Sequence, residues 1–308
     1  MCPVPAPLEL PADLSERPLV RSDARAVVEV MAAQEAHDTG EVSIEEADIL
    51  GDWGRPSYDV SAGTVGVLAG DRLVAYAEMM GADRGDAAVH PDYRGRGVGT
   101  ALAGWMQAKA RKAGSDVIGM PVPQGSAGDR LLAALGYHVR WESWALKLPA
   151  DAQIPPRELP AGYALREATP ADHDACWTVV EDAFLEWSER DRVPLDDWLA
   201  TVVGRPGFEP WNLRVVTDPA GAVVGATQVF LSGEEGDQEG YVNKVATRRD
   251  QRGRGIAQAM LVDAFATARA HGATRSGLDT DSRTGALGLY EKVGMVVSAT
   301  WVNRAIRV

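Results

Sequence analysis

The sequence predicts a mixed α/β architecture of the α+β kind, built twice, each copy a mostly antiparallel sheet flanked by helices. Three observations carry this expectation. The chain has 308 residues, room for two domains at roughly 150 residues each. The hexapeptide Arg94-Gly95-Arg96-Gly97-Val98-Gly99 returns 158 residues later as Arg252-Gly253-Arg254-Gly255-Ile256-Ala257. The same order of helical and strand-like patterns surrounds both copies.

At that fixed offset Ala101 falls on Ala259, Ala108 on Ala266, Arg111 on Arg269, Gly114 on Gly272, Leu131 on Leu289 and Gly136 on Gly294, with no gap. Chance can repeat one glycine-rich hexapeptide, but not the spacing of so many later positions, so the chain is read as a duplicated domain. Pro149, Pro155, Pro156 and Pro160 punctuate a stretch without apolar periodicity. The expected division is 1–149, a linker at 150–162, and 163–308.

Each half opens with a helical pattern behind a polar cap, Ser22-Asp23 before 26–36 and Thr169-Pro170 before 171–184. Two β-rich runs follow around a tight turn: 64–68 and 72–80 in the first half, 213–217 and 223–231 in the second. A short strand then enters the glycine loop, and a helix leaves it. Val98, Ala101, Leu102, Trp105 and Met106 form one apolar stripe, and Ile256, Met260, Leu261, Ala264, Phe265 and Ala268 form the other. Gly114 and Gly272 stand where helices stop. A strand, a helix and a last strand are expected to close each half, at 140–148 and 296–308.

Composition narrows the function. Net charge is −13, an acidic excess shared by both halves, so the basic surface of a nucleic-acid binder is absent. No run approaches ~20 apolar residues, and the proline-rich start lacks the pattern of a secretory signal. No membrane partner is therefore expected. Cys2 and Cys176 make no disulfide framework, which favours a reducing, cytoplasmic setting. The five histidines are scattered without metal-ligand spacing, so no metal is expected.

A strand running through Arg-Gly-Arg-Gly into a helix leaves unpaired backbone N–H groups at the positive end of the helix dipole. That arrangement favours an anion such as a pyrophosphate. A dinucleotide fingerprint needs a third glycine where Thr100 and Gln258 stand, and a Walker loop needs Gly-Lys-Ser/Thr; both are missing. The pattern Arg-x-x-Gly-x-Gly/Ala after a strand instead resembles the acyl-CoA loop of the GNAT superfamily of N-acyltransferases. Val89-His90-Pro91-Asp92-Tyr93 looks like that family's lead-in, although Arg248-Arg249-Asp250 replaces it in the second half. The segment from Thr284 to Met295, with Tyr290 four residues before Gly294, looks like its late helix. The tandem arrangement is similar to mycothiol synthase and related actinobacterial acetyltransferases.

The resemblance implies acetyl-CoA as co-substrate. The loop amides at Arg94, Gly95, Arg96, Gly97, Val98 and Gly99, and at Arg252, Gly253, Arg254, Gly255, Ile256 and Ala257, would hold its pyrophosphate. Ala87 and Val89, and Val245, Ala246 and Thr247, would pair with the pantetheine amides. Acetyl transfer needs a neutral amine, stabilisation of an oxyanion and a proton for the departing thiolate. A phenol, pKa about 10, can protonate a thiolate of pKa about 8.5, and Tyr290 is the candidate acid. Leu132 holds its place in the first half, so catalysis is assigned to the second. Candidate bases are Glu239, Asp182 and Glu186, with Asn243 as an orienting residue. Acids at Glu181, Asp182, Glu186, Glu189, Asp191, Glu234, Glu235, Asp237 and Glu239 point to a small cationic amine acceptor. Trp177, Trp187, Trp198 and Trp211 could line its pocket. A CoA-binding sensor without turnover and a protein lysine acetyltransferase remain open, as do monomer and homodimer.

Overall fold

The computed structural model describes residues 7–149, 152, 156–233 and 236–308. The chain forms two compact units. Unit 1 comprises Met1–Trp53, Ser57–Glu142 and Thr300–Val308; unit 2 comprises Gly54–Pro56 and Ser143–Ala299.

In unit 1, β1 (Ser15–Arg17), β2 (Thr64–Ala69), β3 (Arg72–Met79) and β4 (Gly85–Val89) form an antiparallel sheet in that order. Helices α1 (Ala24–Asp38), α2 (Glu46–Asp52) and the short α3 (Val60–Gly63) precede β2, and α4 (Val98–Lys112) follows β4. Alternation along the strands divides the core. Val65, Val67, Ala75 and Ala77 pack with the α4 stripe, whereas Leu68 and Tyr76 pack with Val27, Val30 and Trp53. After α4 come β5 (Val117–Pro123) and α5 (Ala127–Ala134). Just ahead of β4, Arg84 forms an isolated parallel bridge with Gly119 of β5.

The next strand, β6 (His138–Leu148), does not close this sheet as the sequence order led us to expect. Its residues 143–148 pair antiparallel with a strand of unit 2, while residues 301–307 of the chain's last strand pair antiparallel with β5 in unit 1. The repeats have exchanged their final strands. The reason for the missed exchange is simple: an apolar pattern names a buried face without naming the edge on which the strand pairs.

Unit 2 contains β7 (Ala164–Glu167), α6 (His173–Phe184), α7 (Leu195–Val202), β8 (Leu213–Thr217), β9 (Val223–Ser232), β10 (Gln238–Thr247), α8 (Ile256–Ala270), β11 (Ala273–Asp281), α9 (Leu287–Glu291) and the first residues of β12 (Val296–Arg307). Its strand order is β6-β11-β10-β9-β8-β7. One face packs Leu213, Val215, Ala226 and Ala246 against α6 and α7. The other packs Val229, Val242 and Leu278 against Leu261 and Phe265 of α8 and Tyr290 of α9.

Candidate active site

Both glycine loops have the same backbone. Each follows a single-turn 3₁₀ segment, Pro91–Tyr93 or Arg249–Gln251, entered at φ −50 with ψ 133 or 134. The replaced lead-in therefore changes side chains and not the turn. Gly95 and Gly253 have φ +73 and +74, Gly97 and Gly255 +85 and +82. A Cβ at any of these four meets nothing within 4 Å, so the left-handed backbone, not crowding, is what calls for glycine. The first intrahelical bonds run from Ala101 N–H to Gly97 C=O and from Ala259 N–H to Gly255 C=O, both 3.0 Å. The amides of Val98, Gly99 and Thr100, and of Ile256, Ala257 and Gln258, thus have no acceptor within their helices. Gly99 has a separate reason: a Cβ there stands 2.7 Å from Leu131 of α5.

The arginines do different work in each loop. Arg252 donates through Nε to Thr247 C=O (3.1 Å) and grips Glu186 with two 2.8 Å bonds; Arg94 likewise grips Asp38 at 2.7 and 2.9 Å. These first arginines clasp the loop to the strand before it and to an acid at or just past the end of the opening helix. Arg96 is bound to Asp13 (2.6 Å), whereas Arg254 donates to the Tyr163 hydroxyl (3.1 Å) and meets no carboxylate among the described residues. A cavity of about 530 Å³ opens between α6 and the end of β10, bordered by Val179, Ala183, Glu186, Thr247 and Arg249.

Strands β10 and β11 pair in parallel only from Gln238–Ala273 to Tyr241–Gly277. Beyond Tyr241 they separate, leaving a wedge between 242–247 and 278–281, with backbone groups on both inner edges. Asn243 is a bulge there: Val242 faces Val229 and Lys244 faces Gln228, and Asn243 is the extra residue. Its amide donates to Gln228 Oε1 at 2.9 Å. Unit 1 has no such bulge, since β3 and β4 pair in unbroken register.

Tyr290 and Glu239 approach this wedge from opposite faces. Tyr290 is 7% exposed, among Val242, Leu278 and Phe265, and its hydroxyl bonds with Thr280 on the β11 wall. Burial raises its pKa, with Thr280 opposing, so it is a protonated donor at neutral pH. Trp144 of β6 faces Thr280 across the strands. Glu239 lies over Gly277 on the other face: a Cβ there stands 2.6 Å from Glu239 Oε1. Thr280, Trp144, Tyr241 and Asp279 escaped the sequence reading, since only the register brings them to the wedge.

Four acids of the run are neutralised in place. Glu181 is bound to Arg190 at 2.7 and 2.9 Å, Asp182 to Arg192, Glu186 to Arg252 and Asp237 to Arg275. Asp182 and Glu186 are thereby occupied at the mouth of the loop, whereas Glu239 is the candidate base that stands at the wedge itself. Glu234 and Glu235 lie outside the described residues. Trp198 belongs to the α6–α7 core, Trp177 donates to Val193 C=O (2.8 Å) and Trp211 stacks on His271 at 4.1 Å. Trp187 alone of the four meets the β11–α9 connection, beneath Arg283. Burial pushes the Cys176 thiol up to about 12, away from any reactive role at neutral pH. Among the described residues no group of three or more His, Cys, Asp or Glu could hold a metal ion, and no helix is long and apolar enough to cross a membrane.

The model of the Acetyltransferase (GNAT) family matches residues 28–137 and again 172–295. The chain belongs to the GNAT acetyltransferase family. It is a tandem GNAT protein and an N-acetyltransferase. Among its relatives are mycothiol acetyltransferases of Salinispora arenicola, 29% identical over 77% of this chain and 78% of the relative, and of Thermobispora bispora, 30% identical over 73% and 77%. A GCN5-related N-acetyltransferase from Sphaerobacter thermophilus superposes with a TM-score of 0.73, at 26% identity, over 97% of this chain and 96% of the other. A tandem GNAT protein of the clavulanic acid pathway shares the fold, with a TM-score of 0.70, 20% identity and coverage of 96% and 98%.

Proposed function

We propose that this GNAT enzyme transfers the acetyl group of acetyl-CoA to the primary amine of a small acceptor, by direct attack on the thioester, at the wedge of unit 2. The carrying observation is the placement of Tyr290 and Glu239 on opposite faces of the divergence between β10 and β11. The loop amides around Gly255 hold the pyrophosphate, with Arg254 near it, and the open edge of β10 at Val245, Ala246 and Thr247 pairs with the pantetheine amides. A backbone N–H released by the bulge at Asn243 is a donor for the thioester oxygen. Glu239 takes the proton lost by the amine nitrogen as it bonds to the carbonyl carbon. The C–S bond then breaks, and Tyr290 gives its proton to the leaving sulfur. Solvent restores both groups. The relatives named mycothiol acetyltransferase support a small-molecule acceptor.

The test is release of free CoA thiol from acetyl-CoA in the presence of glucosamine, spermidine or a lysine peptide. Wild type is expected to release thiol with a small amine, and Gly255→Glu to abolish it while Gly97→Glu retains it. Thermal stabilisation by acetyl-CoA without thiol release would mark a sensor, and transfer confined to the peptide would mark a protein acetyltransferase. Equal loss in both glycine variants would overturn the assignment to unit 2.

A further inference from the structure

A row of hydroxyl groups leads from the buried phenol of Tyr290 to the surface. Tyr290 and Thr280 are each 7% exposed, and the phenol bonds with the Thr280 hydroxyl. Thr280 Oγ1 lies 2.9 Å from Thr284 Oγ1. Thr284 is half-buried in the turn between β11 and α9, with exposed residues on either side of it in the chain. Its hydroxyl donates to Asp281 C=O at 2.8 Å and accepts from the Ala286 N–H at 3.1 Å, so the turn itself holds it in place. With the Thr284 proton given to Asp281, Thr280 donates to Thr284 and the phenol donates to Thr280, an ordered row that points outward. Unit 1 has no counterpart. At the repeat offset Val122 replaces Thr280 and Leu132 replaces Tyr290. Ser126, in the place of Thr284, caps α5 instead by accepting from the Asp129 N–H at 3.1 Å.

We propose that the Thr280 and Thr284 hydroxyls are a proton relay that recharges Tyr290 from solvent after each acyl transfer. The inference rests on the acyl-transfer reading above and goes beyond it in assigning the route by which the acid is restored. A phenol packed among Val242, Leu278 and Phe265 has little water of its own to draw on. Tyr290 gives its proton to the leaving sulfur, and the electron pair of its O–H bond stays on the phenolate oxygen. The phenolate takes the Thr280 proton, Thr280 takes the Thr284 proton, and Thr284 takes one from water at the surface. These transfers run together along hydrogen bonds already made, so each hydroxyl loses one proton and gains one. The hydroxide left in solvent is neutralised by the proton that the attacking amine has lost, and the cycle closes without net charge. The Thr280 bond works against the rise in the phenol's pKa that burial causes, as a donor to the phenolate does. Both threonines are positioning residues in this scheme, since they act on the reacting atoms only through Tyr290.

The experiment takes whichever of glucosamine, spermidine and the lysine peptide the wild type acetylates. It compares Thr280→Val and Thr284→Val with Thr280→Ser and Thr284→Ser, which keep the hydroxyl. Each valine variant is expected to lower kcat by about fivefold or more, with KM for both substrates within about twofold, and each serine variant to stay near wild type. In a Tyr290→Phe background, which has no proton to restore, the valine substitutions leave the residual kcat unchanged. In the ligand-free protein, alkaline absorbance titration is expected to place the Tyr290 ionisation at higher pH in Thr280→Val than in wild type or Thr280→Ser, because the phenolate has lost a donor. Wild-type kcat in either valine variant overturns the relay and leaves the activity standing. A fall in kcat that serine does not recover, or that recurs in full in the Tyr290→Phe background, also overturns it and marks a structural role. An unmoved Tyr290 ionisation in Thr280→Val removes the bond on which the relay is built. Absence of transfer by the wild type to every amine overturns the acyl-transfer reading, and the relay with it.

Discussion

Tyr290 and Leu132 stand at matching positions of the two repeats, both buried, and only Tyr290 carries a phenol, the group proposed above as proton donor. Burial keeps the Tyr290 proton in place through neutral pH, so loss of activity through its ionisation belongs above the ordinary tyrosine range. Tyr290→Phe keeps the ring and removes the donor. Its kcat is expected to fall by about 10²-fold, with acetyl-CoA affinity unchanged, as read by steady-state kinetics and calorimetry. Full kcat across the pH range in this variant would remove the acid from the mechanism. The residue type and its spacing to Gly294 were legible in the sequence. Thr280, which bonds the hydroxyl, was not, because it lies on strand β11 and faces Tyr290 only after β11 and α9 pack.

At the scale of elements, the glycine loop and the exchanged strand show two kinds of determination. The loop is local: two left-handed glycines and a helix start suffice, and both copies reach the same dihedral angles although their lead-in residues differ. The last strand is held by a long-range contact. Arg304 on β12 is ion-paired with Asp129 of α5 and donates to Tyr137 C=O at 3.1 Å, with both charged side chains largely covered. Arg304→Met strands the Asp129 carboxylate, so a loss of about 3 kcal/mol is expected in denaturant unfolding. Asp129→Asn combined with Arg304→Met should recover part of it. A double variant no more stable than Arg304→Met would assign the loss to packing of the arginine stem.

Across the whole molecule the acidic balance gives stability a pH dependence that the mean composition does not show. Glu78 on β3 is 4% exposed and faces Asp86 across the strand pair, with Trp53 Nε1 donating at 2.9 Å and Tyr58 at 3.3 Å. Desolvation, then the Asp86 charge, raise its pKa from 4.5 to about 7, against the pull of the Trp53 and Tyr58 bonds. The folded state therefore binds a proton that the unfolded chain has released, and stability falls as pH rises through the window from 4.5 to 7. Glu78→Gln can accept the same two bonds without a charge. It should be close to neutral at pH 4 and stabilising by about 3 kcal/mol at pH 8, as measured by thermal unfolding across pH. A variant whose melting difference is flat from pH 4 to pH 8 would contradict this. Asp86, also raised chiefly by desolvation, acts in the same direction.

The sequence by itself determined the repeat and the helix-entry loops, because periodicity, glycine and fixed spacing are local properties that survive without knowledge of partners. Charge runs were less informative, since a carboxylate says nothing about the arginine that will neutralise it; Asp182 and Glu186 were set aside by such pairs. Only the tertiary structure decided which strand closes each sheet, where β10 and β11 part, and that Glu239, Tyr241 and Asp279 share one face opposite Tyr290. Those outcomes depend on parallel register and strand order. Both are set when distant segments meet and bury their apolar faces together, and neither is written in any single stretch of chain.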